Sequence, residues 1–190
     1  MKVTLVAFDQ FTDVDVFLPW DLFNRARLRH PDWSIRIVGT ERVHTSVTGL
    51  SLPIHGPVEE CNEADIVFFA SGPDSRVLMK DQTYLNRFRL NAETQLIGSM
   101  CSGALLLAGL GLLTGKRATT YPTAADALRE FGVTVVEESL VINGNVATAA
   151  GCLAALDLVG WMLKRAAGTS LKESVLASVQ PAGKQLVCIY

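Results

Sequence analysis

The stretch Leu96-Ile97-Gly98-Ser99-Met100-Cys101-Ser102-Gly103-Ala104-Leu105-Leu106-Leu107-Ala108 decides how the rest of the chain is read. A short apolar run passes into small residues and then into strong helix formers, the pattern of a strand that turns sharply into a helix at Cys101. Ser99 and Gly103, two positions to either side, remove the bulk that would block such a turn. This is the mechanics of the G-x-S-x-G nucleophile elbow in the form S-x-C-x-G. A free thiol near pKa 8.5 is only about 3% thiolate at neutral pH, and the unpaired N–H groups of a helix N-terminus lower that value. The elbow therefore predicts a nucleophilic Cys101 with a lowered pKa. The competing reading is a small buried cysteine that lets a strand and a helix pack closely.

Moving outward, residues 65–70 (Asp-Ile-Val-Phe-Phe-Ala) form a run apolar on both faces, as strands of a covered parallel sheet are. Ser71-Gly72-Pro73 breaks it. Residues 3–8 and 34–38 are further strands, and Pro19 is expected to open a helix over 20–28. Residues 42–45 and 50–54 suggest a hairpin excursion punctuated by Gly49, Pro53 and Gly56. Helical patterns cover 75–79 and 82–92, and the helix after Cys101 is expected to end near Gly111–Gly115. A strand at 117–120 precedes a helix from Pro122 to Phe131. Strands then follow at 134–136, 139–142 and 146–148, the last two joined by an Asn143-Gly144 turn. Helices over 150–165 and 171–178 complete the pattern.

This alternation, without repeats or a low-complexity linker, predicts one α/β domain over residues 1–190 with a doubly wound, mainly parallel sheet. Ligands in that architecture sit beyond the carboxyl ends of the strands, where Cys101, Ser71 and Gly72 are all expected. Gly72 follows a buried strand and can bring its N–H close to an anion; it can equally be a plain turn glycine.

Composition narrows the partners. The 190 residues are 49% apolar and 19% charged, ordinary for a compact protein, with a formal net charge of −2. No basic stripe suits a nucleic-acid backbone; Arg25, Arg27, Arg29 and His30 form only a small cluster, read as a solvated helix end. The most apolar run, 100–114, is shorter than the ~18 residues of a membrane span. No signal-peptide pattern follows Met1-Lys2, and Cys61, Cys101, Cys152 and Cys188 lack C-x-x-C or metal-ligand spacing. A reducing, cytoplasmic setting is expected, with neither nucleic acid nor membrane as partner.

Asp15-x-x-x-Pro19, Ser71-Gly72 after a buried strand, Ser99-Met100-Cys101-Ser102-Gly103 and Ala118-Thr119-Thr120 together resemble the ThiJ/PfpI superfamily, over nearly the whole chain. Residues 14–21 (Val-Asp-Val-Phe-Leu-Pro-Trp-Asp) are similar to its isonitrile hydratase branch, which has aspartate where many relatives carry glutamate further into the first helix. The resemblance implies a flavodoxin-like, class I glutamine amidotransferase-like sandwich and a homodimer. It implies Cys101 as the reactive group, Asp15 as its acidic partner and Ser102 as a hydroxyl that positions groups beside the thiol. The oxyanion-binding amides would be those of Gly72 and Ser102, with Ser71 and Tyr121 lining the substrate site. Two departures stand out. Many relatives have Pro-Gly-Gly where this chain has Ala70-Ser71-Gly72, and many have histidine where Thr120 is followed by Tyr121, which argues against a Cys-His dyad.

An ionised Asp15 touching Cys101 would raise the thiol pKa, so the useful state is thiolate with the proton on Asp15, which then serves as general acid and base. The structural alternative for Asp15 is a helix cap, shared with Asp9, Asp13 and Asp21. Cys152, within Ala149-Ala150-Gly151-Cys152-Leu153-Ala154, is read as helix-on-sheet packing. Tyr121 either lines the pocket or packs against Pro122. Glu59-Glu60 and Glu137-Glu138 are read as solvated pairs.

The resemblance thus implies a cofactor-independent, metal-free lyase that hydrates isocyanides to N-substituted formamides through Cys101. The alternative within enzymes is glyoxalase- or deglycase-like chemistry on 2-oxoaldehydes. The alternative of another class is a cysteine-based redox sensor or regulatory domain. The apolar end, 186–190, is expected to pack on the domain or at a dimer contact.

Overall fold

The computed structural model describes residues 1–184 and Leu186; positions 187–190 of the apolar end therefore lie outside the described residues. The chain runs β1 (Lys2–Val6), α1 (Asp13–Arg29), β2 (Ser34–Gly39), β3 (Val43–Thr45), β4 (Ser51–Pro53), β5 (Gly56–Pro57) and β6 (Ile66–Phe69). It continues through α2 (Ser75–Leu78), α3 (Gln82–Leu85), β7 (Leu96–Met100), α4 (Ala104–Gly109), β8 (Arg117–Ala118), α5 (Ala125–Arg129) and β9 (Thr134–Val135). β10 (Leu140–Asn143), β11 (Val146–Ala149), α6 (Ala155–Ala167) and α7 (Thr169–Ala177) follow.

The described residues build a seven-stranded sheet in the order β10-β11-β7-β6-β1-β2-β5. Every pair is parallel except β10 with β11, the hairpin closed by Asn143-Gly144, where Gly144 takes φ 65°. This is a flavodoxin-like α/β fold. The apolar run of β6 is explained by its two covered faces. Ile66, Phe68 and Ala70 join one core with Leu22 and Phe23 of α1 and Leu158 and Met162 of α6. Val67 and Phe69 join the other with Leu85 and the Leu105–Leu107 run of α4. Period-two alternation inside a continuous apolar stretch is what a sheet sandwiched between helices requires.

Topology positions the site. From β1 the chain crosses to β2 on one side, whereas β6 lies on the other side of β1 and leads on to β7. The connections leaving β1 and β6 therefore diverge, opening a crevice at a topological switch point. Asp15 follows β1, Ser71 and Gly72 follow β6, and Cys101 follows β7.

Several expectations change. α1 begins at Asp13, so Pro19 lies inside the helix instead of opening it. Proline there leaves the Asp15 carbonyl without its helical N–H. Burial of Asp15, Val16, Pro19, Leu22 and Phe23 holds the helix nonetheless, and the Thr12 N–H donates to the Ser71 carbonyl at 2.8 Å. The helix expected over 82–92 stops at Leu85. Side chains take over the backbone beyond it: Asn62 receives the Arg89 N–H at 2.6 Å and donates to the Arg87 carbonyl at 3.0 Å, and Gln95 receives the Asn91 N–H at 2.7 Å.

Cys61 is fully buried under β1, with the Thr4 hydroxyl 3.4 Å from its sulfur. Burial pushes this thiol up from 9.0 to about 12, which the Thr4 contact only partly offsets. A folded-state pKa above the unfolded value stabilises the protein fully below pH 9.0, and that contribution is lost as pH rises toward 12. Urea midpoints at about pH 8 and about pH 11 should therefore fall less in Cys61→Ala than in the wild type. Equal declines would show that Cys61 stays a thiol in neither state or in both.

Candidate active site

The elbow is built as its residue sizes dictate. Cys101 follows β7 in a left-handed conformation, φ 44°, and opens a 3-10 turn over Cys101–Gly103 that leads into α4. Such a φ is uncommon for a residue with a side chain and needs surrounding structure to hold it. The Thr120 hydroxyl donates to the Cys101 carbonyl at 2.8 Å and supplies part of that hold. Gly103 is required by contact: a Cβ there would lie 2.4 Å from the Ala70 carbonyl oxygen. A short turn thus replaces the immediate helix start expected at Cys101.

Asp15 is completely buried in the first turn of α1 and does not cap the helix; Thr12 occupies the cap position. Its Oδ2 instead accepts from the Ser71 hydroxyl at 2.5 Å, while Oδ1 is buried without a hydrogen-bond partner. A carboxylate oxygen of Asp15, the Cys101 sulfur and the Cys152 sulfur all lie within 4.8 Å of one another. One carboxylate and two sulfurs at this spacing also suit a soft divalent cation.

The Ser102 hydroxyl bridges the Gly72 peptide, accepting from its N–H at 3.1 Å and donating to its carbonyl at 3.1 Å. The Gly72 N–H, expected to face an anion, is thereby already engaged. An incoming oxyanion would have to compete with Ser102 for it. The Ser102 amide belongs to the second residue of the short turn, where no carbonyl of the turn can accept from it. Gly72 itself is a close-approach glycine: a Cβ would lie 2.2 Å from the Gln10 carbonyl oxygen.

These groups line a pocket of about 330 Å³ whose wall includes Asp15, Ser71, Gly72, Cys101, Ser102 and Tyr121. Every residue expected from sequence is therefore present. Tyr121 is half exposed at the lip, and Cys101 lies at the base with 4% exposure. Arg76, Thr123, Val47 and Cys152 also line it, with Thr12 and Pro73, and were not anticipated there. Arg76 is tied to Thr123 by hydrogen bonds of 2.9 and 3.1 Å to its hydroxyl and carbonyl.

Two corrections concern the thiols. Burial and then the Asp15 carboxylate push the Cys101 thiol well above its ordinary value, and the backbone amide of Gly151 opposes this without cancelling it. The lowered pKa expected from a helix N-terminus is not what this environment favours. Cys152, expected in the core, is instead half-buried in the pocket wall. Parallel pairing of β11 with β7 sets Ala149 beside Met100, so the segments that follow the two strands emerge side by side.

A fold with this elbow, this buried carboxylate and this sheet order can be compared with known proteins. The sequence model of the DJ-1/PfpI family matches residues 1–165. The chain belongs to the DJ-1/PfpI family. Among DJ-1/PfpI relatives, the isonitrile hydratase of Pseudomonas putida is 30% identical over 96% of this chain and 79% of its own length. A deglycase of Pyrococcus abyssi is 28% identical over 76% of this chain and 87% of its own length. The fold also matches the crystal structure of a ThiJ/PfpI family protein from Pseudomonas syringae, with a TM-score of 0.83 and 24% identity, covering 96% of this chain and 76% of that one. Among the described residues, no helix is long and apolar enough to cross a membrane.

Proposed function

We propose that the chain hydrates isocyanides to N-substituted formamides, with Cys101 as nucleophile and Asp15 as general acid and base. The observation that carries this reading is the buried Asp15 carboxylate beside the Cys101 sulfur, with one oxygen held by Ser71 and the other unpartnered. Similarity to an isonitrile hydratase over nearly the whole chain supports the substrate class.

In this mechanism the Asp15–Cys101 pair shares one proton. The sulfur attacks the terminal isocyanide carbon as Asp15 delivers the proton to that carbon, giving a thioimidate, S–CH=N–R. The unpartnered Oδ1 is the free position for that proton, because Oδ2 is occupied by the Ser71 hydroxyl. Asp15, now a carboxylate, takes a proton from water as the hydroxyl adds to the thioimidate carbon. Asp15 returns its proton to the nitrogen, and collapse then expels the Cys101 thiolate as the proton of the added hydroxyl passes to Asp15, leaving R–NH–CHO and restoring the starting pair. The buried site strengthens each of these transfers by excluding competing water. The pocket of about 330 Å³ suits a small substrate whose substituent extends past Tyr121 toward solvent.

A panel of alkyl and aryl isocyanides and of 2-oxoaldehydes, run on wild type and on Cys101→Ala, separates this reading from deglycase-like chemistry. Formamide is expected from the isocyanides with wild type and not with Cys101→Ala. Turnover confined to the aldehydes would replace the substrate assignment, and inactivity on both classes would remove the enzymatic reading.

A further inference from the structure

Hydration uses one thiol, yet the pocket holds two. Cys152 lies with its sulfur within 4.8 Å of the Cys101 sulfur and of an Asp15 carboxylate oxygen, while the unpartnered Oδ1 of Asp15 is buried at the same place. We propose that Cys101 and Cys152 form a reversible redox pair, in which a hydroperoxide oxidises Cys101 to a sulfenic acid and Cys152 closes it to an intramolecular disulfide.

The geometry favours closure in three ways. β7 and β11 are hydrogen-bonded neighbours, about 4.8 Å apart as paired strands are, and Cys101 and Cys152 lie in the turns that leave them. That lateral spacing is of the same order as the roughly 5.5 Å between Cα atoms that a disulfide spans. The Cys101 backbone is fixed at φ 44° by the elbow, whereas Cys152 is half-buried and follows Gly151, which has φ 86° and open space where a Cβ would be. Cys152 is therefore the partner that moves. Finally, burial and the contact with Asp15 keep the Cys152 group in its thiol form, so it brings its own proton to the step that needs one.

The chemistry balances. The Cys101 thiolate attacks the outer oxygen of R–O–OH; an S–O bond forms, the O–O bond breaks, and the departing alkoxide takes the proton held by Asp15 to leave as R–OH. The Cys152 sulfur then attacks the Cys101 sulfur, the S–O bond breaks, and hydroxide leaves as water with the Cys152 proton. Two electrons pass from the two thiols to the hydroperoxide. A dithiol reductant reverses the change through a mixed disulfide and is itself oxidised. The pair spares Cys101 from the sulfinic acid that a lone thiol reaches. Nothing in this sequence depends on isocyanide being the substrate.

The test is mass mapping of the full-length protein in chelated buffer, reduced, exposed to stoichiometric hydrogen peroxide, and alkylated under denaturing conditions. Wild type should lose two titratable thiols and yield a peptide pair linking residues 101 and 152, restored by dithiothreitol. Cys152→Ser, with its fold verified by circular dichroism, should give no such pair; its Cys101 should react with dimedone or pass to sulfinic acid. Accumulation of sulfinic acid on wild-type Cys101 while Cys152 stays alkylatable would overturn the proposal, as would pairing of Cys152 with Cys61 or Cys188. Because the readout is a covalent link, it stands or fails independently of the substrate panel.

Discussion

Asp15→Asn should lower isocyanide turnover by roughly 10² to 10⁴, the loss expected when a positioned general acid is removed. The fold should survive, because an amide oxygen can still accept from the Ser71 hydroxyl that holds Oδ2 at 2.5 Å. The thiol should move the opposite way to the rate. The carboxylate is one of the groups that push Cys101 up, so its replacement by a neutral amide lets the thiol titrate at lower pH than in the wild type. Steady-state rates and ultraviolet thiolate titration on the same preparation read both effects. A lower thiol pKa with lost turnover separates proton delivery from thiolate formation, which a purely structural Asp15 would not do. An unchanged rate would withdraw Asp15 from the mechanism.

The second large effect concerns Gly72, and it is one of stability. Alanine there would place a methyl 2.2 Å from the Gln10 carbonyl oxygen and 2.8 Å from the Phe11 Cα, both backbone atoms that cannot swing aside. Relief requires the β6 loop to part from the connection after β1, at a cost of about 3 kcal/mol, or a Tm lower by roughly 9 °C for a chain of this size. Thermal unfolding of Gly72→Ala measures it directly. A valine at 72 would be worse, and so cannot serve as a selective probe of anion binding. A Tm within a degree or two of wild type would show that the two connections yield easily.

What could be read in advance follows from which interactions are local. The covered sheet was legible because β6 is an unbroken apolar run, and the Asn143-Gly144 hairpin because that dipeptide suits a tight turn. The elbow was legible because Ser99 and Gly103 flank Cys101 within a five-residue motif, although the contact that demands Gly103 comes from the Ala70 carbonyl on another segment. Contacts set by distant segments were not. Pro19 looked like a helix start, since nothing near it in sequence shows that the preceding turn is buried against Ser71. The end of α3 depends on Asn62 and Gln95, side chains that lie on other segments or beyond the helical pattern.

Cys152 is the instructive miss. It is 51 positions from Cys101, and helix-on-sheet packing was a sound reading of its small, apolar neighbours. Two signals pointed elsewhere: both cysteines follow a strand through a small-residue turn, and parallel pairing of those strands would make the turns neighbours. Only the observed register, Ala149 beside Met100, joins them. The pKa of Cys101 eluded sequence for a related reason. A helix N-terminus is a local feature, whereas the depth of the sulfur and the carboxylate beside it are supplied by α1 and the surrounding loops.

One wall of the pocket stands apart from the rest. Val47 belongs to the bend between β3 and β4, a two-stranded hairpin outside the main sheet, joined to the β1 connection through the Phe11–Ser46 bridge and the bond from the Val47 N–H to the Phe11 carbonyl. The thiol and the acid, by contrast, are rooted in the sheet and α1. Changes in the length or bulk of this hairpin can therefore widen or narrow the opening while the reacting groups keep their spacing. Under the proposed hydration, selection among substrates and the chemistry itself fall to different pieces of the chain, so one can drift without dismantling the other.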